Sequence, residues 1–229
     1  MKIYLYLILP LSMALLAEVP GIPQGVSENY SERVLGIAHT RDSLRIVYSE
    51  ADSMGRAETM NFARSYIIKS ITDDLFTAWY GTPWEFNGTS RIPGEGAIAC
   101  GYFVTYILSD AGFNIPAVKW AQLASETFIL EMCTDIKRFS NKPVQEVINY
   151  ISRRPDGIYI IGLDCHVGFL YKKGAELKFV HSNYYKPEIG VMSEEPGSRN
   201  PLADSRYRVI GNLLSDRNID RWLMNTRIE

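Results

Sequence analysis

Cys100 opens an amphipathic stretch, Gly96-Ala97-Ile98-Ala99-Cys100-Gly101-Tyr102-Phe103-Val104. His166 leads an apolar run, Asp164-Cys165-His166-Val167-Gly168-Phe169-Leu170-Tyr171. A thiol attacks as its thiolate, and a helix N-terminus and a neighbouring imidazole both favour that form. Acyl transfer through cysteine needs the sulfur, a base that later protonates the leaving amine, a group that orients the base, and donors for the oxyanion. Cys100 supplies the sulfur and, from its own backbone N–H, one oxyanion donor. His166 supplies the base. The orienting group is expected from the next strand, where His181 and Asn183 share a face; the residues leave the choice between them open.

Each residue alone has a plainer reading. A free cysteine is commonly a small buried hydrophobe. A histidine on an apolar strand face is commonly a satisfied core residue, and an asparagine commonly opens a turn. The ordered set carries the signal: cysteine at a helix start, then histidine, then a polar residue on successive strands. Cys165, adjacent to His166, reads as packing. Cys133 ends a helix, and a bridge between Cys133 and Cys165 is left open. His39 lies in a polar stretch and reads as a surface residue.

The elements that must position this set follow from periodicity. Ala63, Ile67, Ile71, Leu75 and Trp79 recur every fourth residue, so Met54 to Trp79 reads as helical, stopped by Gly81-Thr82-Pro83. A glycine- and proline-rich loop, Trp84 to Gly96, leads to a helix at Cys100 with Phe103, Val104, Ile107, Leu108 and Ala111 on its stripe. Two further helices are expected, Ala117 to Met132 and Val144 to Ile151. Strands are expected at Ile158 to Ile161, His166 to Tyr171, Leu177 to Asn183 and Tyr207 to Ile210, with a last helix around Ile219 to Met224. In this reading His166, Gly168 and Leu170 face the helix packed on the sheet, and Gly168 leaves room beside the base. Helices first and a strand meander second predict an α+β domain.

The chain has 229 residues, 46% of them apolar, enough for one core with a small N-terminal addition. Residues 1–17 read as a signal peptide: Lys2, then an apolar run with Ala14 and Ala17 near its end, too short for a membrane span. Leu15 makes the cleavage motif imperfect, and an uncleaved anchor or a buried N-terminal helix is the rival reading. Residues 18–53 read as a linker and extension, with a β-like core at Leu44 to Tyr48, and 54–229 as the domain. A net charge of −2 argues against nucleic acid as a partner. Three cysteines are too few for a disulfide framework, no paired ligand spacing suits zinc, and no glycine-rich phosphate loop follows a strand. No metal or cofactor is expected, and a monomer is.

The chain resembles the NlpC-type cell-wall peptidases, a papain-like cysteine peptidase family. Members carry a Gly-Thr-Pro-Tyr-x-x-Gly-Gly loop, then Asp-Cys-Ser-Gly-Phe-Val, then His-Val-Gly-Ile-Tyr, then a second histidine before a small residue. Here these stand as Gly81-Thr82-Pro83-Trp84-Glu85-Phe86-Asn87-Gly88, Ala99-Cys100-Gly101-Tyr102-Phe103-Val104, His166-Val167-Gly168-Phe169-Leu170, and His181-Ser182. The resemblance covers about Met60 to Asn183. It implies a papain-like fold with the nucleophile at the N-terminus of a helix packed on an antiparallel sheet. It also implies an exported hydrolase, periplasmic or secreted, that cleaves amide bonds in peptidoglycan stem peptides or other peptides through a thioester. Cys100 would be the nucleophile, His166 the base and His181 its orienting group, with Asn183 as rival because papain uses asparagine. Trp84, Phe86 and Gly101 would bind substrate. Two positions depart from the family: its aspartate before the nucleophile is Ala99, and its serine after it is Gly101. A helical insertion, Ala117 to Ile151, separates nucleophile from base. An acyltransferase using the same cysteine, and a non-catalytic cell-wall binding module with Trp84, Phe86, Tyr184 and Tyr185 as an aromatic cleft, are the alternative readings.

Overall fold

Tyr30, Val34, Ile37, Leu44 and Tyr48 recur at helical intervals. In the computed structural model, which describes residues 24–229, they form the inner stripe of a 27-residue helix, α1 (Gln24–Glu50). Tyr30 and Ile37 are buried, and Arg41, between them and Leu44, donates to the Gly112 carbonyl at 3.0 Å. The linker and extension expected over 18–53, with a β-like core at Leu44 to Tyr48, is therefore corrected. Its described part is one helix that packs on α2 (Ser53–Lys69) and shares the main core, so Met54 begins no separate domain. The signal segment expected at 1–17 lies outside the described residues.

Helix α2 continues through a π-helical turn, Ser70–Leu75, into α3 (Phe76–Trp79). The fourth-residue stripe explains the turn. An α-helix advances about 100° per residue, so a strict four-residue repeat drifts off one face. One underwound turn corrects the drift, and Ala63, Ile67, Ile71, Leu75 and Trp79 are all at most 1% exposed.

After the loop Gly81 to Ala99 come α4 (Cys100–Asp110), α5 (Ala117–Ala121), α6 (Ser125–Met132), β1 (Thr134–Ser140) and α7 (Val144–Ser152). The insertion expected as helical thus breaks at Gln122 to Ala124 and contains a strand. Next follow β2 (Gly157–Leu163), β3 (Val167–Lys173), β4 (Glu176–Asn183), β5 (Gly190–Glu194), α8 (Pro201–Asp204), β6 (Tyr207–Asn212) and α9 (Asp216–Leu223).

The six strands form one antiparallel sheet in the order β1-β6-β2-β3-β4-β5, and the fold is α+β. Strand alternation divides the core between the two faces. Val167, Phe169 and Val180 join the core that contains α4; Leu170, Phe179 and Ile161 join a second core beneath α7 and α8. Among the described residues no helix is long and apolar enough to cross a membrane.

Candidate active site

Helix α4 begins at Cys100 after an extended Ala99, and no side chain caps it. Its first-turn N–H groups have no partners within the helix, and those of Cys100 and Gly101 lie against the Cys100 sulfur. The loop before it is held by main-chain bonds. Gly81 N–H donates to Val191 O, Val191 N–H to Thr82 O, Trp84 N–H to Pro187 O and Ile98 N–H to Pro83 O, each at 2.9 Å. The Ser182 hydroxyl donates to Ile98 O at 2.6 Å. Gly190, at φ +62°, completes this seam: a Cβ there would lie 1.9 Å from Thr82 O. The seam fixes Trp84 and Cys100 relative to β4 and β5.

Gly101 explains one departure from the family pattern. A Cβ at that position would sit 2.3 Å from the Ala121 carbonyl oxygen. The inserted α5 therefore occupies the space that a serine side chain would need.

His166 lies in the β2–β3 turn, one residue before the first paired residue of β3. Asp164 pins that turn. Its carboxylate accepts from the Ser205 hydroxyl and from the backbone N–H of Arg206 and Tyr207, at 2.7 to 3.0 Å. His166 Nε2 lies 2.8 Å from His181 Nδ1, and His181 Nε2 lies 2.9 Å from Glu194 Oε1. Glu194 also accepts from Asn183 Nδ2 at 3.0 Å and from Lys186 Nζ at 2.9 Å.

Of the two candidates for the third position, His181 touches His166. Asn183 instead holds the carboxylate behind His181, and its own oxygen accepts from Tyr185 N–H. Glu194 was missed by sequence reasoning because its strand is short and sits at the sheet edge. The face assignment also needs correction. His166 and His181 do share a face with Leu170 and Phe179, but it is the one opposite α4. The imidazole reaches the Cys100 cleft around the end of β3. The room expected beside Gly168 is filled from β4: a Cβ there would meet Phe179 Cε2 at 2.6 Å and His181 Cβ at 2.9 Å.

The network admits one complete hydrogen-bond assignment. An ionised carboxylate only accepts, so His181 Nε2 carries a proton toward Glu194. His181 Nδ1 then accepts from His166 Nε2–H, which leaves a lone pair on His166 Nδ1. That nitrogen is buried without a partner. A buried acceptor left unsatisfied costs about 1–3 kcal/mol, a cost that functional sites tolerate.

The electrostatics keep both rings neutral. Burial, with His181 beside it, holds His166 well below the ordinary histidine value of 6.5. Burial lowers His181 too, and the pull of Glu194 does not undo it. Burial opposes ionisation of Glu194, but hydrogen bonds from His181 and Lys186 outweigh it and hold the carboxyl below 4.5.

Cys100 departs from expectation. It is half-buried, and burial pushes its thiol above the ordinary 9.0 despite backbone N–H groups of Val167 and Gly101 that favour the thiolate. The helix start therefore does not produce a resting thiolate. Because His166 Nδ1 has no partner, no hydrogen bond joins it to the sulfur.

Two cavities meet at Cys100, Gly101 and His166. The larger, about 830 Å³, includes Trp84, Phe86, Tyr102, Leu123 and Tyr184 in its wall; the smaller, about 470 Å³, includes Ser125, Glu126, Asp164 and Tyr207. All three expected substrate-binding residues, Trp84, Phe86 and Gly101, line the larger one. Trp84 Nε1 is buried and lacks an acceptor. Tyr184 packs edge-on against His166, with centroids 5.2 Å apart, and Tyr185 turns away to Asp204. Cys133 is buried, Cys165 is exposed and both are free, so the bridge left open between them is absent. His39 is exposed. Among the described residues, no group of three or more His, Cys, Asp or Glu side chains is placed to hold a metal ion. No family model, curated protein or solved structure matches the chain.

Proposed function

We propose that this chain is a cysteine hydrolase of the papain-like, NlpC-type kind that cleaves amide bonds, in peptidoglycan stem peptides or other peptides, by way of a thioester. The observation that carries the reading is the chain of contacts from Glu194 through His181 to His166, which leaves an unpartnered, buried imidazole nitrogen on a residue that lines the same cavities as Cys100. With both groups neutral at rest, the thiol proton passes to His166 Nδ1 as the sulfur attacks the carbonyl carbon. The backbone N–H of Cys100 donates to the developing oxyanion. The imidazolium then gives its proton to the leaving amine. Water, deprotonated by the same nitrogen, releases the acid from the thioester and restores the thiol. Export to the periplasm or beyond is part of the proposal and rests on residues 1–17.

Replacing Cys100 by Ala removes one atom, and the fold is expected to survive. Mass spectrometry of peptidoglycan and of capped peptides, digested with wild type and with Cys100→Ala, tests the reading. A loss of about a thousandfold or more is expected; equal turnover by the variant overturns it. The raised thiol and the absent sulfur–imidazole hydrogen bond favour one rival, a cell-wall binding module. That rival predicts binding of the same fragments by both proteins and turnover by neither.

A further inference from the structure

The two cavities that meet at Cys100 differ in charge. Among the described residues lining the larger one, none carries a carboxylate, an ammonium or a guanidinium. Its wall is mainly aromatic and aliphatic; the neutral polar residues Asn87, Thr89 and Gln122 complete it, and Gln122 donates to the Tyr102 hydroxyl at 2.9 Å. Glu85 lies between Trp84 and Phe86 in sequence but takes no part in the wall. Phe86 is 81% exposed at its rim, an aromatic ring left in water by the folded chain. The smaller cavity contains two acids, both already engaged. Glu126 accepts from Arg138 and from the Tyr207 hydroxyl, and Asp164 holds the turn before β6.

From this asymmetry we infer that the substrate places an uncharged apolar side chain, aromatic or branched aliphatic, against Trp84, Phe86 and Leu123, on one side of the bond that Cys100 attacks. The inference rests on the proposed hydrolase reading and narrows its substrate class. A charged group there would lose water without gaining a counter-ion. An apolar one would bury its own surface and that of Phe86 together. The cavity is continuous with the sulfur, so the occupant and the scissile bond belong to one molecule. Ala99, where the family has an aspartate, also lines this cavity, which leaves no carboxylate there for a free amine.

Two series of capped peptides test this on the full chain. One varies the residue on the acyl side of the cut and the other the residue on the amine side, through Phe, Leu, Lys and Glu. One series is expected to favour Phe and Leu over Lys and Glu by about tenfold to a hundredfold in kcat/KM. Phe86→Glu is expected to shrink that preference and to raise Lys relative to Phe. Equal cutting of charged and apolar residues in both series, or an unchanged preference in Phe86→Glu, overturns the inference. If neither these peptides nor peptidoglycan is cut, the hydrolase reading fails; whenever no peptide is cut, the inference is read from equilibrium binding of the same peptides to Cys100→Ala. Tighter binding of the Phe and Leu peptides sustains it; equal or weaker binding refutes it.

Discussion

A single proton occupies the 2.8 Å gap between His166 Nε2 and His181 Nδ1, and Glu194 decides which nitrogen owns it. The carboxylate accepts a hydrogen bond from Nε2–H on the far side of His181, so the near side must accept. His166 is thereby left with a free lone pair on its buried, unpartnered Nδ1. The strand that completes this logic, β5, pairs with β4 so that Glu194 stands opposite Phe179, one step along the face from His181.

Glu194→Gln removes the charge while keeping the shape. Glu194 Oε1 accepts from both His181 Nε2 and Asn183 Nδ2, so the amide oxygen takes that place and the proton order along the rings is kept. The charge that stabilises the imidazolium formed when His166 accepts the thiol proton is lost. kcat is expected to fall by about tenfold to a thousandfold with little change in KM. Nitrogen chemical shifts of the two histidines should keep their tautomers, which separates lost charge from lost geometry. A variant with wild-type turnover removes Glu194 from the proposed mechanism.

A half-buried neutral thiol beside a buried neutral imidazole makes a pH prediction. In a Cys165→Ser background, which removes the exposed thiol, alkylation of Cys100 by iodoacetamide should be slow at neutrality. It should climb only toward and beyond the ordinary thiol value of 9.0. The acid limb of kcat/KM should fall below 6.5, where His166 takes up its proton. A rapid alkylation plateau near neutrality that disappears in His166→Gln would demonstrate a resting ion pair instead.

The same depressed histidines act on stability. Below 6.5 the unfolded chain binds protons that folded His166 and His181 refuse, so their contribution is complete above that value and declines as pH falls. Glu194 adds a second decline: its stabilisation is present above 4.5 and is lost as pH drops through its lower folded value. Melting temperature followed by circular dichroism should be level above neutrality and fall steadily below 6.5. His166→Gln should have a shallower slope between those two windows; an unchanged slope would show that His166 does not link folding to protons.

Gly101→Ser restores the residue that the family has, and it should not help. Its Cβ would be driven against Ala121 O, which stands 2.3 Å from that point. Overpacking of this kind costs about 1–3 kcal/mol, and each kcal/mol lowers Tm by about 2–4 °C in a domain of this size. A variant as stable as wild type would mean that α5 yields easily, and the glycine would then need another explanation.

Much of this arrangement could be read from the chain. The helix at Cys100, the histidine-led strand and its neighbour were legible because one-sided burial imposes clear periods on their residues. Helix α1 was readable too, from Tyr30, Val34, Ile37, Leu44 and Tyr48, but Arg41 and Gly36 interrupt the apolar pattern, and the prolines before it point to a linker. Strands β1 and β5 escaped because both are sheet edges. β5 has only five residues, and β1, though seven long, is largely polar and contains a bulge at Asp135, where φ is +51°. Glu194 went unseen with its strand. The face on which His166 lies could not be read either. Alternation fixes which residues share a face, but only the packing of α4 fixes which face that is.

The loop from Gly81 to Ala99 is fastened mainly by main-chain carbonyls and amides, which every residue type but proline supplies, with the Ser182 hydroxyl as a side-chain exception. Its side chains at Trp84, Phe86, Asn87 and Thr89 are therefore free to vary without moving the sulfur. Such a scaffold separates tuning from machinery. On the proposed reading, descendants of this chain change diet by point mutation on one rim while Cys100 stays where the main chain put it.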